Sequence, residues 1–225
     1  MQGVARGLII SVLGQKGGSG KSTTCENIAV GLKLGQIDVM VFDCDEKQRT
    51  ISKWIERRND ARAAGADLAL IHSANHSENI KEAAIDAASR YDVVLLDPDG
   101  RDGRALRSAL LVSDIIYIPV QPTQPDLETL EYLDGLITET KELNPKRIIK
   151  VLLSRTPTHP TSGDKLLAEK FVNEFSDSME LSNAFISDRS AYKRASVEGK
   201  GVMEGNDEKA KIEIKKLVQE ILENA

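Results

Sequence analysis

The stretch Leu13-Gly14-Gln15-Lys16-Gly17-Gly18-Ser19-Gly20-Lys21-Ser22-Thr23 decides how this chain is read. The apolar run 8–13 before it predicts a buried strand, and residues 21–32 after it predict a helix. Between them Gly17, Gly18 and Gly20 let the backbone turn so that successive N–H groups face one point, where an anion can sit. The helix start adds free donors and the positive end of its dipole. Lys21 is expected to reach the β- and γ-phosphates of a nucleoside triphosphate, Ser22 to ligate Mg²⁺, and Ser19 and Thr23 to complete the cradle. The first glycine of the ordinary phosphate loop would fall on Gln15, so the loop is a variant. Its second lysine, Lys16, is a further cation beside a polyphosphate.

Outward from this loop, apolar strands alternate with amphipathic helices. Strands are expected at 37–42, 68–71, 93–96, 115–120 and 148–153, and helices through 52–57, 78–90, 104–112, 127–143 and 165–175. That order predicts an α/β fold, a mainly parallel twisted sheet with helices on both faces, as a single domain over 1–225. Ligands of such sheets sit beyond the carboxyl ends of the strands. The phosphate loop, Asp43, Asp45, Asp97 and the loop Gln121-Pro122 then share one rim.

Acids on that rim facing a triphosphate can hold Mg²⁺ or orient the attacking water. Asp43 and Asp45 end the second strand, although acids there also suit the capping of the next helix. Asp97 ends the run Val93-Val94-Leu95-Leu96, and Gly100 in Pro98-Asp99-Gly100-Arg101-Asp102 is placed to offer its N–H to a γ-phosphate.

Composition bounds the remaining classes. The 225 residues are 40% hydrophobic with a formal net charge of −5, which argues against a chain coated in cations for nucleic acid. No run of 18 apolar residues occurs and the start lacks a signal-peptide layout, so a cytoplasmic protein is expected. Cys25 and Cys44 form no CxxC, and His72, His76 and His159 read as surface or loop residues, with the 73–75 segment between the first two taken as loop.

The spelling Lys16-Gly17-Gly18-Ser19-Gly20-Lys21-Ser22 resembles the deviant Walker A box of the ParA/MinD superfamily of P-loop ATPases. Asp43-Cys44-Asp45 looks like the Walker A′ motif of that family and Asp97 its Walker B acid. The chain departs from the pattern after Asp45, lacking the usual proline and running one residue longer before Trp54. The segments 101–114, 118–127 and 187–195 are similar to small ParA-type partition ATPases. The resemblance implies a slow, Mg²⁺-dependent ATPase whose ATP-bound form is a homodimer, with Lys16 crossing to the partner's ATP, Asp45 serving hydrolysis, and Gln121 and Pro122 near the base. It further implies nucleoid association through non-specific DNA binding, and a centromere-binding, ParB-type adaptor that stimulates turnover, so that plasmid or chromosome partition is the first expectation. A positioning ATPase for another cargo shares every motif.

Two C-terminal features bear on partners. From 188 to 216 eight Lys/Arg stand against six Asp/Glu, and Arg189, Lys193 and Arg194 are the expected phosphate contacts, three cations on adjoining faces of one helix. The stripe Ile214, Leu217, Val218, Ile221 and Leu222 could in principle lie on a membrane in MinD fashion. It lacks aromatics and ends in Glu220-Ile221-Leu222-Glu223, so packing on the sheet is expected and no stable membrane association.

Overall fold

A computed structural model of the chain describes residues 6–77, 80–100, 103–158 and 162–225. Arg101, Asp102 and His159, and the start of the helix expected from Glu78, lie outside the described residues. The chain runs β1 (Leu8–Val12), α1 (Lys21–Leu34), β2 (Val39–Cys44), α2 (Thr50–Ala63), β3 (His72–Asn75), α3 (Ile80–Ala88), β4 (Val93–Pro98), α4 (Arg104–Val112), β5 (Ile115–Val120), α5 (Gln124–Leu127), α6 (Thr129–Glu139), β6 (Ile148–Thr156), α7 (Ser162–Asn173), β7 (Glu180–Ser187), α8 (Ser190–Val197) and α9 (Glu208–Glu223), with a 3₁₀ turn at Val202–Glu204 before α9.

The strands form one seven-stranded sheet in the order β3-β2-β4-β1-β5-β6-β7, and every recorded pairing is parallel. Successive strand residues feed two cores. Ile9, Val94 and Ile116 pack with α3, α4, α6 and α7, whereas Ile10, Leu95 and Ile115 pack with α1, α2, α8 and α9. Burial on both faces explains why the central strands read as unbroken apolar runs rather than alternating ones.

Three local expectations shift. The third strand is His72–Asn75, paired with Met40–Asp43, and not 68–71. Leu68 and Ile71 are buried, but the connection they belong to gives its carbonyls to arginine: Arg62 Nε donates to Leu68 O and Arg58 Nε to Ala69 O, each at 2.9 Å. Burial there comes without a ladder. The residues between His72 and His76 are therefore strand, which sends the two rings to different neighbours: His72 Nδ1 lies 2.9 Å from Tyr91 Oη, and the His76 ring packs tilted against Phe42, with centroids 4.5 Å apart. The helix expected over 127–143 is shorter and broken. Pro125 opens a separate turn, Thr129 Oγ1 bonds back to Asp126 O, and the Thr140 hydroxyl competes for the carbonyls of Leu136 and Ile137 where α6 ends.

β7 was not expected at all. It is an edge strand, and two of its N–H groups are held by side chains from α9: Asn183 N donates to Glu220 Oε2 at 2.6 Å and Ser187 N to Glu213 Oε2 at 3.1 Å.

Candidate functional site

The phosphate loop takes the shape its glycines allow. Gly18 (φ +80°) and Gly20 (φ +97°) are left-handed, Gly20 as the residue before the first turn of α1, and an L side chain at either would be strained. β6 fastens the loop from behind, since Ser154 Oγ donates to Ser19 O at 2.6 Å. Ser19 Oγ is buried without a partner, a polar atom waiting inside the loop. Lys21 Nζ reaches back to Lys16 O at 3.3 Å, so its ammonium lies across the loop's mouth.

Ser22 and Asp97 meet at the foot of the loop, the Ser22 hydroxyl donating to Asp97 Oδ2 at 2.6 Å. Asp97 is 3% exposed, and its other oxygen, Oδ1, is buried with no partner. Burial, first of all, pushes the Asp97 carboxyl up to about 7; the nearby charges of Asp43 and Asp45 add to this, while the Ser22 hydrogen bond and Lys21 oppose it. A hydroxyl, a carboxylate and an orphaned carboxylate oxygen at the N-terminus of α1 suit a hard divalent cation, which takes oxygen ligands. The donor set fits Mg²⁺.

Asp43 and Asp97 are register partners on adjacent strands, but Asp43 is otherwise engaged. Its Oδ2 accepts from Ser52 N at 2.8 Å and Ser52 Oγ at 2.7 Å, and its Oδ1 from Asp45 N at 3.2 Å. In this arrangement Asp43, the third expected metal residue, holds α2 and the loop before it while lying beside Asp97. Asp45 Oδ1 accepts from Lys47 N and Gln48 N, each at 3.0 Å, an Asx turn that sets the loop's course toward α2.

Gly100 closes the site from β4. A Cβ there would lie 2.2 Å from Gly14 O and 3.1 Å from Lys21 Nζ, so only glycine permits this approach to the phosphate loop. Gln121 and Pro122 follow β5 on the same rim, both half-buried. A small cleft beside Thr23 and Thr24 is lined instead by Ser154, Arg155, Ile186 and Asp188. Arg155 holds φ +50°, and its guanidinium comes within 3.8 Å of where a Cβ on Gly18 would stand. Sequence reading missed this wall because it is built from the ends of β6 and the unforeseen β7.

Lys16 turns away from its own loop. Its Nζ forms an ion pair at 2.7 Å with Asp126 Oδ2 in α5, an oxygen that also accepts from Thr123 Oγ1 at 2.8 Å. Asp126 is 3% exposed and was not singled out from sequence; an acid in the first turn after Pro125 was the available signal.

The cations of the C-terminal region divide. Arg189, expected to contact DNA, has its Nε paired with buried Glu213 at 2.9 Å and a side chain that is 15% exposed. Lys193 and Arg194 do face solvent on α8. Of the α9 stripe, Ile214, Leu217 and Ile221 are fully buried and Val218 partly, as the expected packing requires, whereas Leu222 is 49% exposed. Among the described residues no helix is long and apolar enough to cross a membrane.

Residues 8–148 match the family model described as ATPase MipZ. The chain belongs to that family of ATPases. It is similar to the "Maintenance of carboxysome distribution protein A" of Gloeobacter kilaueensis, at 28% identity over 90% of this chain and 87% of the relative, and to "Protein ParA" of Rhizobium radiobacter, at 27% over 62% and 60%. In fold it resembles the plasmid partition protein of Borrelia burgdorferi bound to AMPPNP, with a TM-score of 0.72 at 18% identity, covering 98% of this chain and all of the other. It likewise resembles the septum site-determining protein MinD of Pyrococcus horikoshii complexed with Mg-ADP, with a TM-score of 0.68 at 19% identity, covering 95% of each. Membership in the ParA/MinD group of P-loop ATPases and the parallel α/β fold therefore both stand.

Proposed function

We propose that this ATPase is a dimerisation switch that positions a cargo along DNA. The observation that carries the reading is the division of labour between the two lysines. Lys21 covers its own phosphate loop, whereas Lys16 leaves it for Asp126, a contact it would give up to serve a second subunit's nucleotide. Two copies closing over two ATP molecules would exchange the Asp126 contact for a phosphate.

Within each site Ser22 and Asp97 would hold Mg²⁺, whose charge offsets that of the phosphates. A bound cation would keep ionised the Asp97 carboxyl, which burial pushes up to about 7. Gly100 would present its N–H to the terminal phosphate, Asp45 would orient water, and the cleft wall of Ser154, Arg155 and Asp188 would take the base. Lys193 and Arg194 would contact DNA phosphates, giving nucleoid association through the ATP-bound dimer.

The coverage of the carboxysome-distribution relative favours a protein assembly as the cargo. The similarity to ParA keeps plasmid or chromosome partition through a ParB-type adaptor as the second reading. Light scattering of the wild type and Asp45→Ala with ATP and with ADP tests the switch. A dimer that forms only with ATP and persists in Asp45→Ala supports it; a nucleotide-independent oligomeric state sinks it.

A further inference from the structure

The edge of the sheet carries a second surface that the nucleotide chemistry does not use. A hollow of ≈ 190 Å³ lies where β7 meets α9, lined by Phe185 and Ser187 of the strand and by Lys209, Ile212, Glu213 and Lys216 of the helix. At its centre are two bulky apolar side chains in contact with water, Phe185 at 37% and Ile212 at 51% exposure. Lys209 and Lys216, both exposed, flank Ile212 on the same helix, and neither has an ion-pair partner among the described residues. Seven residues apart, they stand about 10 Å apart along the helix axis.

The one acid in the lining adds little negative potential. Glu213 accepts from Ser187 N and Oγ, from Tyr192 Oη and from Arg189 Nε, so its charge is matched by the arginine and its oxygens are taken. The hollow is therefore a net positive rim around an apolar centre, on a chain whose formal charge is −5.

We infer that this hollow docks an acidic segment of a partner protein through one bulky apolar side chain seated between Phe185 and Ile212, with carboxylates on Lys209 and Lys216. Side chains of an extended chain alternate, so an apolar residue with an acid two positions before it and another two positions after it puts all three on one face, the acids about 13 Å apart and within reach of two flexible lysines. The segment docks by side chains and does not lengthen the sheet, since Glu220 and Glu213 already hold the Asn183 and Ser187 N–H groups that an added strand would need. Duplex DNA is the poorer occupant: it offers the lysines phosphates but gives Phe185 and Ile212 no apolar surface to bury. The inference does not depend on the nucleotide switch.

A displayed library of random dodecapeptides selected on the whole protein tests it, with the wild type, Ile212→Asp and the double variant Lys209→Glu/Lys216→Glu compared. Circular dichroism and nucleotide binding serve as fold controls, since all three side chains are exposed. The expected result is enrichment of peptides with paired Asp/Glu around Leu, Ile or Phe, whose affinity drops at least tenfold in each variant while ATP binding is unchanged. Enrichment of basic peptides, no enrichment, or affinity indifferent to Ile212→Asp overturns the proposal. So does a duplex oligonucleotide that binds the wild type, is lost in the lysine variant and survives Ile212→Asp, which makes the surface a nucleic-acid contact.

Discussion

Lys16 is where a single residue has most to say. Its ion pair with Asp126 holds the ammonium in its own subunit, and the partner is buried while the lysine is half-exposed. Any use of Lys16 by a second subunit must first break this contact, so the pair sets a threshold for dimerisation. Asp126→Asn is expected to raise the dimer fraction at limiting ATP several-fold, read by light scattering. Lys16→Gln should abolish the ATP dimer and leave fluorescent-nucleotide binding by the monomer intact. Loss of both would make Lys16 an ordinary part of the phosphate loop. The loop itself was legible in the sequence because glycines, lysines and flanking elements are contiguous. Asp126 was not, because its role depends on a contact 110 residues away in sequence.

Glu26 poses a different question at the same scale. It lies on α1, 1% exposed, with Oε1 accepting from Ser196 Oγ at 3.2 Å and Oε2 buried without a partner. Burial pushes its carboxyl up to about 8; Asp97 adds to the rise, and the Ser196 hydrogen bond and Arg57 oppose it. The folded state thus keeps a proton that the unfolded chain releases near its ordinary value of 4.5. Stability from this group is fully present below about 4.5 and declines as pH rises, by up to about 1.4 kcal/mol per unit, until it levels off above 8. Glu26→Gln removes that slope. Urea denaturation at pH 5 and pH 8.5 should show the variant gaining on the wild type by a few kcal/mol at the higher pH; parallel profiles would show that Glu26 is ionised in the fold.

At the scale of elements, α9 and β7 explain each other. Glu220 accepts from Tyr117 Oη at 3.0 Å, Ser182 Oγ at 2.7 Å and Asn183 N at 2.6 Å, so one carboxylate ties β5, β7 and α9 together. The same charge pushes the Tyr117 hydroxyl well above its usual range, after burial, which is the larger cause. Glu220→Ala leaves the buried Tyr117 and Ser182 hydroxyls and the more exposed Asn183 N–H unmatched and should cost about 2–4 kcal/mol in urea denaturation, whereas Glu220→Gln, which keeps an acceptor, should lose less. Equal losses would assign the effect to packing alone. β7 escaped sequence reading for the same reason that it needs Glu220. Glu180-Leu181-Ser182-Asn183-Ala184-Phe185 has too few apolar residues to mark a strand, and its pairing with β6 is irregular. The central strands were legible because both their faces are buried.

Over the whole molecule, the rim carrying the nucleotide site and the far C-terminal segment are joined through α2. Trp54 Nε1 donates to Lys200 O at 3.2 Å, Arg57 Nε to Ser196 O at 3.0 Å and Arg58 to Gly199 O at 3.0 Å. Gly199 holds φ +69° with a Cβ position only 2.3 Å from Arg58 N, so the turn after α8 lies directly on α2. At the centre Arg58, fully buried, is paired in fork fashion with Glu204 at 2.7 and 2.9 Å. None of this was visible in the sequence, where Arg58 is one charge in the polar run Glu56-Arg57-Arg58-Asn59-Asp60. A buried ion pair is costly to break yet contributes little over apolar residues of like volume, because both charges give up their hydration to form it. Glu204→Ala, which strands the guanidinium, should therefore lose about 3–5 kcal/mol in urea denaturation. The double variant Arg58→Met/Glu204→Met should lose clearly less. If instead the double variant falls as far as the single one, the pair is a net source of stability, and the two segments are held together by charge rather than by the carbonyl contacts around it.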